Sequence, residues 1–162
     1  MIRILNSKES KQLDLATLES TGISENMLID NAGKAIAHHI IENIEDPFNE
    51  TFLLIAGFGK NGLDAIVANF YMHHYGLQSY LYIIDENKIP SKFDKYLNSI
   101  NKINSLDSIT KFNWVVDGVF GNGLNRNIEG LPLEVVRKII QQKNIIAIDI
   151  PTGILADTGE SV

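Results

Sequence analysis

The apolar run Leu53-Leu54-Ile55-Ala56 breaks directly into Gly57-Phe58-Gly59-Lys60-Asn61-Gly62, and a helix-like pattern, Leu63 to Ala68, begins at once behind it. A buried strand followed by G-x-G-x-x-G and a helix is the outline of a dinucleotide-binding turn. Glycines let the backbone approach a phosphate, and the first amides of the following helix supply donors and a positive dipole end. Glycines also close strand-to-helix turns on steric grounds alone. The turn by itself leaves both readings open. Two later stretches discriminate between them: Asp117-Gly118-Val119-Phe120-Gly121-Asn122-Gly123-Leu124 and Asp149-Ile150-Pro151-Thr152-Gly153.

Around the turn, hydrophobic periodicity alternates between strand and helix. Strand-like runs fall at 51–56, 79–84, 113–117 and 144–150, with helical stretches near 62–75, 91–103 and 131–142 between them. Two helices precede the first strand. One spans 8–20 and closes at Gly22. The other is capped by Ser24 and carries Leu28, Ala32, Ala35, Ile36, His39, Ile40 and Asn43 at helical spacing, with Asp46-Pro47 as its breaker. Strands alternating with helices predict right-handed crossovers and a mostly parallel sheet covered on both faces. At 162 residues, with no repeat or linker, the chain reads as one α/β domain over 1–162 with an N-terminal helical pair.

Composition narrows the chemistry. A formal net charge of −6 argues against a nucleic-acid backbone binder, although backbone amides can hold a small nucleotide without basic side chains. The absence of cysteine excludes disulfides, thiolate zinc and cysteine nucleophiles. Arg3, Lys8, Glu9, Lys11 and Asp14 keep the N-terminus charged, and no apolar stretch reaches signal-peptide or membrane-span length. A soluble protein of the cytoplasm is expected. His38, His39, His73 and His74 sit on helices without a third ligand at metal spacing, and Tyr71, Tyr75, Tyr80, Tyr82, Phe93 and Tyr96 read as core.

Ligands of such sheets bind beyond the carboxyl ends of the strands. The four expected strands run into the glycine turn with Asp64, then Asp85, Asp117 and Asp149. Asp85 stands where a ribose-binding acid would sit, and serves equally well as a helix cap. Gly121, Gly123 and Gly130 flank Arg126, which suggests an anion cradle of amides and a guanidinium fork, or else an ordinary surface loop. Isoleucines flank Asp149, and partial desolvation there would raise its pKa and suit it to proton transfer. Thr152 offers a hydroxyl and a carbonyl to the same spot.

With these stretches in order, the chain resembles the NAD(P)HX epimerases, the YjeF N-terminal domain family. Gly57 to Ala68 is similar to the family's G-x-G-N-N-G-G-D-G-x-V-A turn, Asp117 to Gly130 to D-x-x-F-G-T-G-L-x-R-x-x-x-G, and Ile148 to Gly159 to V-D-I-P-S-G-x-x-x-D-T-G. Met27 to Gly33 is similar to its helical L-M-E-x-A-G segment. The resemblance implies a three-layer, Rossmann-like α/β/α sandwich, usually dimeric. It implies interconversion of the R and S forms of hydrated NADH and NADPH, a repair step whose S product goes to a partner dehydratase that is sometimes fused.

It further implies a potassium ion at Asn61, Asp117 and Thr152. The hydrated nucleotide would be held by Lys60, Asn61, Gly62, Leu63 and Asp64, by Gly121, Asn122, Gly123, Leu124, Asn125, Arg126 and Asn127, and by Asp149, which would carry the acid–base role. Lys60, Leu63 and Ala65 depart from the family pattern, as does Thr152 for Ser. Family domains continue into further strands, so the stretch up to Val162 is expected to lack C-terminal strands. A non-catalytic, RNA-linked dimerisation scaffold of the same fold, and an NAD-dependent dehydrogenase using Asp85, are the rival functions.

Overall fold

The computed structural model describes residues 4–162; Arg3 lies outside them. Five parallel strands form one sheet: β1 (Thr51–Ala56), β2 (Gln78–Ile83), β3 (Asn101–Lys102), β4 (Trp114–Gly118) and β5 (Ile145–Ala147), in the order β3-β2-β1-β4-β5. The chain winds outward from β1 through α3 (Lys60–His74) to β2, then returns to β4 and winds the other way through α5 (Gly130–Ile139) to β5. Strand order therefore reverses between β1 and β4. A ligand crevice belongs at that reversal, beyond the strand ends.

The layers follow from the two-residue period of a strand. In β1, Phe52, Leu54 and Ala56 face one core with Ile66, Met72, Phe93 and Tyr96, while Leu53 and Ile55 face the other with Val115, Val135 and Ile139. Helices α2 (Glu25–Asn43), α3 and the single turn α4 (Asp94–Leu97) cover the first face, and α5 the second. This is the three-layer α/β/α sandwich that the sequence predicts. Two of the expected aromatics, Phe93 and Tyr96, are buried; Tyr71 and Tyr75 pack only partly against the first core, and Tyr80 and Tyr82 against the second.

Local signals explain most boundaries. Asn6 and Glu9 form a capping box at the start of α1 (Ser7–Thr21), and Gly22 ends it at φ 70°. The Ser24 hydroxyl caps α2 by accepting from the Met27 amide at 3.3 Å. The face that α2 buries is rotated from the expected one: Ile29, Gly33, Ala37 and Ile40 go inward, whereas Ala35 and His39 stay exposed. Gly33 explains the rotation, because a Cβ there would stand 2.6 Å from Val67 Cβ. The two helices pack through that missing side chain. The helix expected over 91–103 is a second departure. The chain makes a 3₁₀ turn at Ser91–Phe93, one α turn, and then the short strand β3. Strand β5 is three residues long, so Asp149 lies two residues past its end rather than in it.

Candidate active site at the reversal of strand order

The glycine turn is built for close packing at the sheet's end. Gly57 donates its amide to the Gly118 carbonyl at 3.1 Å, which ties the end of β1 to the end of β4. A side chain on Gly57 would collide with the Val119 carbonyl, and one on Gly62 with the Gly57 carbonyl. The steric reading of these glycines is therefore correct at 57 and 62. Gly59 differs: it has open space around it and forms the N-cap of α3 without any side-chain bond to the first amides. Those amides stay available to a ligand.

Above the turn lies a cavity of about 630 Å³. Gly59, Lys60, Asn61 and Asp64 line it from α3, Val119 to Leu124 from the loop after β4, and Ile148 and Asp149 from the segment after β5. Ala32 and Ile36 close one side from α2, and Lys11 and Asp14 reach over it from α1. A second cavity of about 430 Å³ shares Lys11, Asn122, Gly123 and Leu124 with the first, and continues past Asn125 to the 155–158 segment.

The fold thus gathers Lys60, Asn61, Asp64, Gly121 to Leu124 and Asp149 at one cavity and places Asn125 at the adjoining one. Gly62 is buried beneath the turn, and Leu63 packs against the first core, so neither lines a cavity. Ala65 is likewise core, and Leu63 and Ala65 add no bulk at the site. Arg126 and Asn127 are exposed and line neither cavity. What the loop brings to the two cavities is the stretch from Val119 to Asn125. Asp85 lies away from the site, capping the 3₁₀ turn Glu86–Lys88 through the Asn87 amide at 3.1 Å.

Asp149 anchors the loop after β4. Its Oδ2 accepts from the Asn122 amide at 2.7 Å, and a Cβ on Gly121 would stand 2.6 Å from the same oxygen. The side chain is exposed, so the desolvation expected there does not occur. The half-buried carboxylate of the cavity is Asp64. Burial, and then the negative charge of Asp149, push its pKa up to about 7, with Lys60 opposing and Asp14 adding to the rise. Lys60 itself pairs with Glu25 at 3.0 Å.

Beneath the floor, Asp117 is 3% exposed. Its Oδ1 accepts from the Thr152 hydroxyl at 2.7 Å and the Val119 amide at 3.1 Å, and its Oδ2 from the Thr152 amide at 2.8 Å. Burial raises its pKa, and these three bonds oppose the rise. Asn61 is also buried, and its Nδ2 has no hydrogen-bond partner among the described residues.

Two contributions escaped the sequence. Lys11 and Asp14 enter the cavity because α1 is fastened across it: Asp157 Oδ1 accepts from the Ser7 amide at 2.8 Å and hydroxyl at 2.7 Å, and Asn122 Nδ2 donates to Ser10 Oγ at 3.4 Å. No local signal marks such long-range contacts. Asp64 was legible as a site residue but its partial burial was not. Among the described residues no three His, Cys, Asp or Glu cluster as a metal site, and no helix is long and apolar enough to cross a membrane.

Comparison with known proteins places this geometry. Residues 25–162 match the family described as YjeF-related protein N-terminus. The chain is 32% identical to the bifunctional NAD(P)H-hydrate repair enzyme Nnr of Dictyoglomus turgidum, over 98% of this chain and 33% of that protein. It is 29% identical to the NAD(P)H-hydrate epimerase of Lentilactobacillus buchneri, over 99% of this chain and 77% of that one. The chain therefore spans a third of the bifunctional relative and about three quarters of the single-activity one. The crystal structure of yeast YNL200c superimposes with a TM-score of 0.85 over 99% of this chain and 75% of that chain; at 17% sequence identity it supports the fold.

Proposed function

The chain belongs to the YjeF-related N-terminal family, and from that membership we propose that it is an NAD(P)H-hydrate epimerase, interconverting the R and S forms of hydrated NADH and NADPH. The observation that carries this is the cavity at the strand-order reversal, where the motif residues Asn61, Asp64, Gly121 to Leu124 and Asp149 converge. Relatives that the chain matches over nearly its whole length are named for the same reaction.

The residues divide the work. Uncapped amides at the start of α3 and amides of the loop after β4 receive the polar groups of the nucleotide. Asp149 keeps one carboxylate oxygen on the Asn122 amide, which fixes its orientation and leaves the other oxygen to the ligand. In this reading it takes the proton of the C6 hydroxyl and passes it to the ring nitrogen as the C6–N1 bond breaks to an aldehyde. The transfer runs in reverse when the nitrogen adds to the opposite face of the carbonyl, so that the configuration at C6 inverts. Asp64, with a pKa of about 7, faces it across the cavity as a second carboxyl able to stay protonated near neutrality.

A potassium ion belongs to the same proposal. The donors that Asn61, Asp117 and Thr152 bring are carboxamide, carboxylate, hydroxyl and carbonyl oxygens, the hard set that suits such a cation. Asp117 Oδ2 accepts from the Thr152 amide and keeps a lone pair for such a ligand. The partnerless atom of Asn61 is the donor Nδ2, so Asn61 would contribute through its carboxamide oxygen. A bound cation would supply fixed positive charge beside the nucleotide. A dehydratase consuming the S form, supplied separately or on one longer chain, completes the proposal. So do a homodimeric state, a cytoplasmic location and independence from nucleic acid, in keeping with the net charge of −6.

The test is to incubate pure R hydrate with the folded protein and follow both epimers by chromatography or NMR. Approach to an R/S mixture well ahead of the protein-free control is expected, and persistence of R would refute the assignment.

A further inference from the structure

Helix α1 is an unusual piece of this fold, because it contributes no buried residue and yet is fixed in place at both cavities. Its fastenings are polar: Ser7 to Asp157, and Ser10 to Asn122. A helix held this way adds little to the core. What it adds to the site is charge.

The cavities are electrically lopsided. Asp14, Asp64 and Asp149 all lie in the larger one, where a dianionic diphosphate would meet three carboxyl groups. Lys60, the other cation there, is committed to Glu25 at 3.0 Å. At the waist shared by the two cavities stand Lys11 and the Asn122-to-Leu124 backbone. Lys11 makes no ion pair among the described residues, and the Gly123 amide has no acceptor among them. Gly123 also has no atom within 4 Å of where a Cβ would be, so its backbone is open to a ligand. An ammonium and a free amide facing one gap make an anion site.

Resting on the epimerase reading, we infer that Lys11 of α1 is a substrate-binding residue that holds the diphosphate of the dinucleotide at the waist. The hydrated nicotinamide half then occupies the larger cavity beside Asp149, and the adenosine half the smaller one against the 155–158 segment. A dinucleotide carries its diphosphate between its two nucleosides, as the waist lies between the two cavities. Each cavity is within the size range of small-ligand pockets.

The experiment uses the whole chain and two ligands: ADP-ribose, which has the diphosphate but no nicotinamide, and the R hydrate of NADPH. Lys11→Gln keeps the helix propensity and removes the charge. It should weaken ADP-ribose binding about tenfold at low salt, as expected for one lost charge-assisted contact. The deficit should shrink as salt screens the wild-type interaction. KM for the hydrate should rise in parallel with kcat within about twofold, and Lys11→Arg should restore most of the loss. Unchanged ADP-ribose affinity in Lys11→Gln, or no ADP-ribose binding by the wild type, would overturn the inference. Lys11-dependent ADP-ribose binding by a wild type that leaves the hydrate unepimerised would uphold the diphosphate site and refute the epimerase reading.

Discussion

Thr152 holds Asp117 at both carboxylate oxygens, its amide on Oδ2 at 2.8 Å and its hydroxyl on Oδ1 at 2.7 Å, across 35 residues of chain. The same hydroxyl oxygen accepts from the Phe120 amide at 3.0 Å, so one side chain joins the end of β4, the loop after it and the segment after β5. Removing the hydroxyl takes one of three donors from a buried carboxylate and leaves the Phe120 amide without its acceptor. Thr152→Val should therefore destabilise the protein by about 1–3 kcal/mol, read by urea unfolding. Thr152→Ser should stay close to wild type, because the hydroxyl survives. Equal losses in both variants would mean that the methyl packing, not the hydroxyl, matters.

Gly121 lies against Asp149 so closely that alanine forces one of them to move. The crowded atom is the end of a side chain, so the fold should tolerate the change while the site does not. Gly121→Ala is expected to melt within a few degrees of wild type and to lose turnover on the order of a hundredfold, the scale of a misplaced reacting group. Gly123→Ala, with open space around it, should melt like wild type. Normal turnover in Gly121→Ala would show that Asp149 needs no fixed position.

Asp64 makes stability depend on pH in a defined direction. Its folded pKa of about 7 lies above the ordinary value of 3.8. Between these values the unfolded chain has lost the proton that the folded chain keeps. The group's contribution therefore becomes steadily less favourable as pH rises from about 4 to about 7, and then levels off. Asp64→Asn removes this penalty. The variant should gain in melting temperature relative to wild type at pH 8, and gain much less at pH 4. A pH-independent difference would contradict the raised pKa of this half-buried carboxyl.

Potassium should stabilise the folded protein by mass action. Potassium chloride is expected to raise the melting temperature above that in tetramethylammonium chloride of equal ionic strength. Asp117→Asn should abolish the difference. An equal response in both proteins would remove Asp117 from the cation site.

Much of this architecture was legible because its signals are local. The run 51–56, the Ser24 cap and the glycine turn each depend on neighbours in sequence, and the structure reproduces them. The stretch 91–103 misled because Phe93, Tyr96, Leu97 and Ile100 fall at helical spacing. They meet the core from two short turns and a loop instead. At the site, motif residues could be placed on one rim, since parallel strands deliver their ends together. Which of those carboxylates would have its pKa raised could not be read, because the carboxylates that add to the desolvation of Asp64, Asp149 and Asp14, come from the segment after β5 and from α1. The flanking isoleucines pointed to Asp149 for the same reason that they misled: sequence neighbours are not the atoms that desolvate a side chain.

The central claim is that Asp149 moves a proton in an epimerisation performed at this cavity, and Asp149→Asn tests it most directly. The amide keeps the size of the side chain and can still accept from the Asn122 amide, but it cannot take up a proton. Turnover of the R hydrate and ADP-ribose affinity would be measured side by side, with thermal melting to establish folding. A loss in kcat on the order of 10²–10⁴-fold with affinity within a fewfold of wild type is expected. Near-wild-type turnover in the well-folded variant would contradict the account.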